Sequence, residues 1–235
     1  GLSRYVRVPA EWIVPIPAGL TQREAMIYGT AGFTAAQCVT AIVERGIEPD
    51  RGEIVVTGAT GGVGSLAVEI LAKLGYQVAA VTGKTDRHDW LRELGATTIH
   101  DRGDVVDDTA RPLLSERWAA AVDSVGGCTL ATLLAATKYR GVVAACGLVG
   151  GDKLSTSVYP FLLRGVTLAG IDSAKCPRPQ RLEMWQKLAG PWRVDNLDRI
   201  ASNATLDELP EKVRQILHGG IVGRTVVSPT SEMSH

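Results

Sequence analysis

Apolar residues in this chain fall into short unbroken runs, and stretches of helical periodicity lie between them. Ile54-Val55-Val56 is such a run, and the absence of polar alternation predicts a strand buried on both faces. It passes through Thr57-Gly58-Ala59-Thr60-Gly61-Gly62-Val63-Gly64 into a segment where Val63, Leu66, Ala67, Ile70, Leu71 and Leu74 share one helical face. Gly75 stops that helix, and Gln77 to Val81 predicts the next strand. The same rhythm continues. Residues 89–94 predict a short helix closed by Gly95, Thr97-Thr98-Ile99-His100 a third strand, and 119–125 a fourth. A helix over 129–136, a strand over 141–147 and a last strand within 165–173 follow. Strands alternating with helices in this way predict an α/β fold, a doubly wound parallel sheet of about six strands.

The two ends stand outside the alternation. Tyr5-Val6-Arg7-Val8 and Trp12-Ile13-Val14-Pro15-Ile16-Pro17 predict short strands punctuated by proline. A helix over 206–217 leads through Gly219-Gly220 to Gly223-Arg224-Thr225-Val226-Val227, a final strand expected to pair with the first ones. The expected organisation is therefore one domain over 26–173 and a second, β-rich unit built from 1–25 and 174–235. Cys176-Pro177-Arg178-Pro179 marks either the crossing between them or a loop over the pocket.

Glycines at 58, 61 and 64, set between a buried strand and a helix, have a chemical use. They allow a tight turn, close approach of a diphosphate to the main chain, and close packing of helix on strand, as in the Rossmann dinucleotide fold. Free N–H groups and the positive end of the helix dipole then face the anion. The residues after the second strand discriminate between dinucleotides. A site for NAD places a carboxylate there, about 20 residues past the first glycine, to bind the ribose hydroxyls. This chain has Thr82-Gly83-Lys84-Thr85-Asp86-Arg87 instead, and a hydroxyl, a small residue and a cation suit a 2'-phosphate. The expected cofactor is NADPH, with Asp86 as the residue that argues for the other reading. Arg102 stands at the exit of the third strand, where it would lie along the adenine or its phosphate, or be an ordinary loop arginine.

Composition narrows the partners. The 235 residues carry 25 Lys+Arg against 25 Asp+Glu, so no net field draws the chain to nucleic acid or anionic lipid. No uninterrupted apolar run reaches membrane-spanning length, and the first residues lack a secretory pattern, so a cytoplasmic setting is expected. Cys38, Cys128, Cys146 and Cys176 are scattered, with no C-x-x-C pair, which argues against a metal site. Cys146, in a strongly apolar run, reads as a small core residue rather than a nucleophile.

Several segments in fixed order carry a resemblance that spans nearly the whole chain. Gly29-Thr30-Ala31-Gly32-Phe33-Thr34-Ala35, the Val55 to Gly64 turn, Leu94-Gly95-Ala96, Ala144-Ala145-Cys146-Gly147-Leu148, Pro160-Phe161-Leu162-Leu163-Arg164-Gly165-Val166 and Gly223-Arg224-Thr225-Val226-Val227 resemble the zinc-free medium-chain dehydrogenase/reductases. Within them the chain is most similar to the acrylyl-CoA reductase branch of the quinone oxidoreductase group. The resemblance implies NADPH-dependent hydride transfer to the β-carbon of a short enoyl thioester such as acryloyl-CoA. A quinone or enal reductase with the same machinery, and a non-catalytic NADPH-binding module, are the alternatives. It also implies that Thr60, Gly61, Gly62 and Val63 hold the diphosphate and that Thr82, Gly83 and Lys84 surround the 2'-phosphate. Arg102, Ser124, Leu148, Leu162, Ser173 and Arg224 are implied to contact the rest of the cofactor. A homodimer is implied, and no metal. In that family a GroES-like substrate domain, with a tyrosine near the nicotinamide, begins before anything in this sequence. The terminal segments are accordingly expected to be a remnant of that domain and the chain to be incomplete. Tyr28 and Tyr139 are the available phenols, both expected to be core residues, and no catalytic acid is assigned.

Overall fold

A computed structural model describes residues 2–3, 5–109 and 111–229. Residues 1, 4 and 230–235 of the expected terminal unit lie outside the described residues. Six parallel strands form one sheet: β1 (Ile54–Val56), β2 (Val78–Val81), β3 (Thr98–His100), β4 (Trp118–Asp123), β5 (Thr137–Ala145) and β6 (Thr167–Gly170). Their spatial order, β3-β2-β1-β4-β5-β6, is that of a doubly wound dinucleotide fold. Ile54 pairs with Val78 on one side and Ala120 on the other, so β1 lies where the winding reverses. The crevice above that point, at the carboxyl ends of the strands, is where such sheets bind ligands.

Why the strands carry unbroken apolar runs is visible in the packing. Ile54 and Val56 join one core with α1 (Gln22–Glu44) and α2 (Gly62–Lys73), whereas Val55 joins a second core with Leu130, Leu133 and Leu134 of α4 (Gly127–Ala136). Each fully buried aliphatic side chain contributes about 1.5–3 kcal/mol, so both faces of the sheet must be covered. Short helices α3 (His88–Glu93) and α5 (Tyr159–Arg164) complete the connections.

The chain ends differ from expectation. Neither proline-punctuated strand forms: residues 10–12 make a single 3-10 turn, with the Trp12 N–H donating to the Pro9 carbonyl at 3.1 Å. Prolines at 9, 15 and 17 remove donors a ladder would need, and Trp12 is 71% exposed. The last strand, β8 (Arg224–Ser228), pairs instead with β7 (Ala201–Thr205), in parallel. The polar sequence Ala-Ser-Asn-Ala-Thr of β7 hides this strand from pattern reading. Cys176-Pro177-Arg178-Pro179 opens a helix, α6 (Arg178–Ala189), with Pro177 at the N-cap and a proline in the first turn, where no N–H is required. α6 packs on α1, its Trp185 ring stacked 6.4 Å from Phe33. A final helix, α7 (Leu209–Leu217), joins β7 to β8.

α1 was not expected as one long helix. Thr21 and Glu24 close a capping box at its start, and Gly29, with φ +46°, kinks it near the cofactor crevice. It is long and apolar enough by composition to cross a membrane, yet most of its residues are buried against α2, α6 and β5. It is the core helix of the sheet.

Candidate functional site

The crevice is built by the β1–α2 turn. Gly58 adopts φ +59°, and the Gly61 N–H closes the turn on the Gly58 carbonyl at 2.8 Å. α2 starts from Gly61 with no side-chain cap, so its first N–H groups point outward for an anion. A side chain at Gly64 would collide with the Gly58 carbonyl and lie 2.7 Å from Ala59 Cα. Glycine at 64 therefore keeps the helix on its strand and the turn free of Cβ atoms.

Beneath the turn is a polar clamp that pattern reading missed. Asp123, ending β4, is fully buried; its Oδ1 accepts from Thr57 Oγ1 at 2.6 Å and its Oδ2 from the Gly126 N–H at 2.8 Å. Ser124 returns the link, its Oγ donating to the Thr57 carbonyl at 3.0 Å. The clamp ties β1 to β4 at the switch point. A carboxylate closing the apolar run Ala119 to Val122 is the signal that could have revealed it.

At the β2 and β3 ends the expected 2'-phosphate residues come together. Thr82 is buried with its hydroxyl 3.5 Å from that of Thr60, and it accepts from the Lys84 N–H at 3.1 Å. The Arg102 guanidinium covers Gly83, its Nε 2.8 Å from where a Cβ would stand. Lys84 Nζ donates to the Ile221 carbonyl at 2.8 Å. Burial, and then the Arg87 charge, push the Lys84 pKa down, with Arg102 adding to the effect and Asp86 opposing it. Three cations sharing one corner raise each other's energy, and a dianion would relieve it. Asp86, the competing ribose acceptor, is turned to Arg87 at 3.1 Å.

Arg224 approaches the diphosphate turn from β8. Its Nε donates to the Ile27 carbonyl at 2.9 Å, and its guanidinium lies against Gly29 and Gly62. Burial pushes its pKa down without depriving it of charge. The Gly223 N–H donates to the Thr60 carbonyl at 2.9 Å, so the kink at Gly29 and the last strand jointly place this cation.

The far end of the crevice is a cavity of about 480 Å³ over β5 and β6, lined by Ala145, Cys146, Leu148, Gly170, Ile171 and Asp172 among others. Ser173 follows directly, its carbonyl accepting from Arg181 at 3.0 Å. Leu162 is not gathered here; it stands on α5, 76% exposed. Neither phenol reaches the cavity. The Tyr28 hydroxyl is buried, accepts from the Val194 N–H at 2.8 Å, and is pushed up to about 12 by burial. Tyr139 is exposed near the amino end of β5. Among the described residues no group of three or more His, Cys, Asp or Glu could hold a metal ion.

Residues 62–190 match the family described as zinc-binding dehydrogenase. The chain is 49% identical to the acrylyl-CoA reductase AcuI of Ruegeria pomeroyi over 97% of its length and 69% of that protein. It is 46% identical to YhfP of Bacillus subtilis, a protein carrying a quinone oxidoreductase name, again over 97% and 69%. The solved YhfP structure, with NAD bound, superposes with TM-score 0.91, covering 94% of this chain and 68% of that one. YhdH of Escherichia coli K-12, solved with NADPH bound, gives TM-score 0.94 at 46% identity, covering 98% and 71%.

Proposed function

The chain belongs to the medium-chain dehydrogenase/reductase family and is an oxidoreductase, and from that premise we propose that it uses NADPH to reduce the carbon–carbon double bond of a short enoyl thioester such as acryloyl-CoA. The observation that carries the cofactor half is the corner formed by Thr82, Gly83, Lys84 and Arg102, which offers cations and a hydroxyl where an NAD site needs a carboxylate. The relatives solved with NADP or NADPH support it, and YhfP, solved with NAD, marks the competing choice. The substrate half rests on the similarity to AcuI.

In this reading Thr60, Gly61, Gly62 and Val63 form the turn that holds the diphosphate, the Gly61 N–H closing the turn and those at the start of α2 facing the anion, with Arg224 alongside. Ser124, Leu148 and Ser173 flank the path toward the β5–β6 cavity, whereas Leu162, exposed on α5, is left out of the set. When bound, NADPH supplies the hydride. The protein's part is to align the alkene in the cavity, keep water out with Leu148 and Ile171, and stabilise charge gathering on the thioester oxygen. Neither Tyr28 nor Tyr139 is placed to give the α-carbon its proton.

Residues 26–173 act as the NADPH-binding domain, and 1–25 with 174–235 as part of a substrate-facing GroES-like unit; the separate β7–β8 sheet supports that division, while Met184 to Ile200 share the core of the main sheet and count against it. A homodimer is supported by the edge strand β6 beside exposed Leu148, Val149, Leu162 and Leu163. The decisive experiment follows NADPH oxidation with acryloyl-CoA, with 1,4-benzoquinone and with a short enal. Turnover confined to the thioester supports the proposal. Turnover confined to quinone favours the YhfP-like alternative, and tight NADPH binding without turnover of any of them favours a non-catalytic module.

A further inference from the structure

We propose that Arg45, Arg51 and Arg140 form a binding site for a small molecule bearing a diphosphate group, at the end of the sheet opposite the cofactor crevice. With Gly46 and Ile47 the three side chains line a cavity of about 290 Å³. All of them stand at the amino ends of strands: Arg45 follows the last residue of α1, Arg51 precedes β1, and Arg140 lies near the start of β5. The cofactor crevice lies at the carboxyl ends of the same strands, so the two sites are separate.

Main-chain contacts bring the three cations together. β5 is interrupted just after it begins: Trp118 pairs with Thr137 but Ala120 with Val142, so the residues between bulge out of the ladder. Arg51 reaches this bulge, its Nη2 donating to the Tyr139 carbonyl at 3.0 Å. Arg45 Nη2 donates to the Gly165 carbonyl at 3.0 Å, and the Arg140 stem runs along the same glycine, its Cγ 3.8 Å from where a Cβ of Gly165 would stand. Each tether uses one N–H of a guanidinium and leaves the rest of the fork for an anion.

Two further observations point to a ligand. Among the described residues none of the three arginines makes an ion pair, and Glu116, which accepts from the Tyr139 N–H at 3.1 Å, is already held by Arg164 at 3.5 Å. Cations gathered without a counter-charge raise each other's energy, and an anion relieves it. Arg140 is also the one non-glycine residue among those described with a positive φ, +58°. A side chain in the left-handed region strains the backbone, and such strain collects at ligand sites. A single phosphate group carries at most about two negative charges, so three guanidiniums, each able to grip two oxygens, suit a diphosphate. The site uses no residue of the reduction proposed above and stands or falls without it.

The test is calorimetry on the intact chain saturated with NADPH, which fills the cofactor's own diphosphate turn, titrated with inorganic pyrophosphate and separately with ADP at fixed ionic strength. One equivalent of pyrophosphate is expected to bind saturably. ADP binding more tightly than pyrophosphate supports the site with a nucleotide as its ligand, and pyrophosphate binding alone supports it with the free anion. Arg51→Ala and Arg140→Gly are each expected to weaken pyrophosphate by about tenfold or more, through loss of a charge-assisted contact, with NADPH affinity unchanged. Glycine adopts φ +58° without strain, so the Arg140→Gly variant keeps its fold while losing the cation. No saturable binding, binding matched by sulfate at the same ionic strength, or an affinity unchanged in both variants overturns the proposal.

Discussion

Lys84 is fixed by the Ile221 carbonyl, and its charge is pressed by Arg87 and Arg102. A charge-assisted contact to a 2'-phosphate is worth about 1.5–3 kcal/mol. Lys84→Ala is therefore expected to weaken NADPH by about 10-fold to 150-fold while leaving NADH nearly unchanged, as measured by fluorescence titration of both. Equal losses would remove the 2'-phosphate from this corner. The residue types at 82, 83 and 84 were legible because charge and size at a strand exit have one dominant use. Arg224 was legible only through resemblance, since nothing local says that a residue 162 positions after Gly62 will lie across it. Asp123 was passed over because an acidic residue at a strand end reads as solvent-facing until its partners, Thr57 and Gly126, are brought beside it.

At the scale of elements, the β1–α2 unit depends on the contact between Gly64 and the strand exit. Gly64→Ala puts a methyl against the Gly58 carbonyl and Ala59, and such overpacking costs about 1–3 kcal/mol. Both the denaturation midpoint and NADPH affinity are expected to fall together, because the same shift that relieves the clash tilts the N–H groups off the anion. Loss of stability with affinity intact would separate packing from binding. The elements of the main sheet were readable because its central strands, β1, β2 and β4, are buried along their whole length and are almost entirely apolar. The terminal elements failed to read for the opposite reason. β7 is polar and held mainly by its ladder with β8, while the apolar run Trp12 to Ile16 stays unpaired.

Across the whole molecule, Glu69 couples α2 to the segment that carries Asp195 and Arg199. One of its carboxylate oxygens is buried without a partner, and burial pushes its pKa from 4.5 up to about 7, with Arg199 opposing and Asp195 adding. A carboxyl whose pKa rises on folding favours the folded state while protonated. Its contribution is complete below pH 4.5 and is lost as pH climbs through about 7. Glu69→Gln is expected to stabilise the protein at pH 8 by an amount on the order of 1–3 kcal/mol and to flatten the decline between pH 5 and 8. Urea midpoints at the two pH values measure this, and a wild-type midpoint independent of pH would refute it.

What the sequence determined by itself was the alternation of buried strands and one-faced helices, the glycine turn, and the cationic exit of β2. All three are local, because strand burial, helix periodicity and turn chemistry are written within about 20 consecutive residues. The tertiary structure alone decided the partner of the last strand, the kink that brings Ile27 to Arg224, and the Asp123 clamp. Those contacts join residues from 23 to 197 positions apart, and only the packed fold brings such partners together.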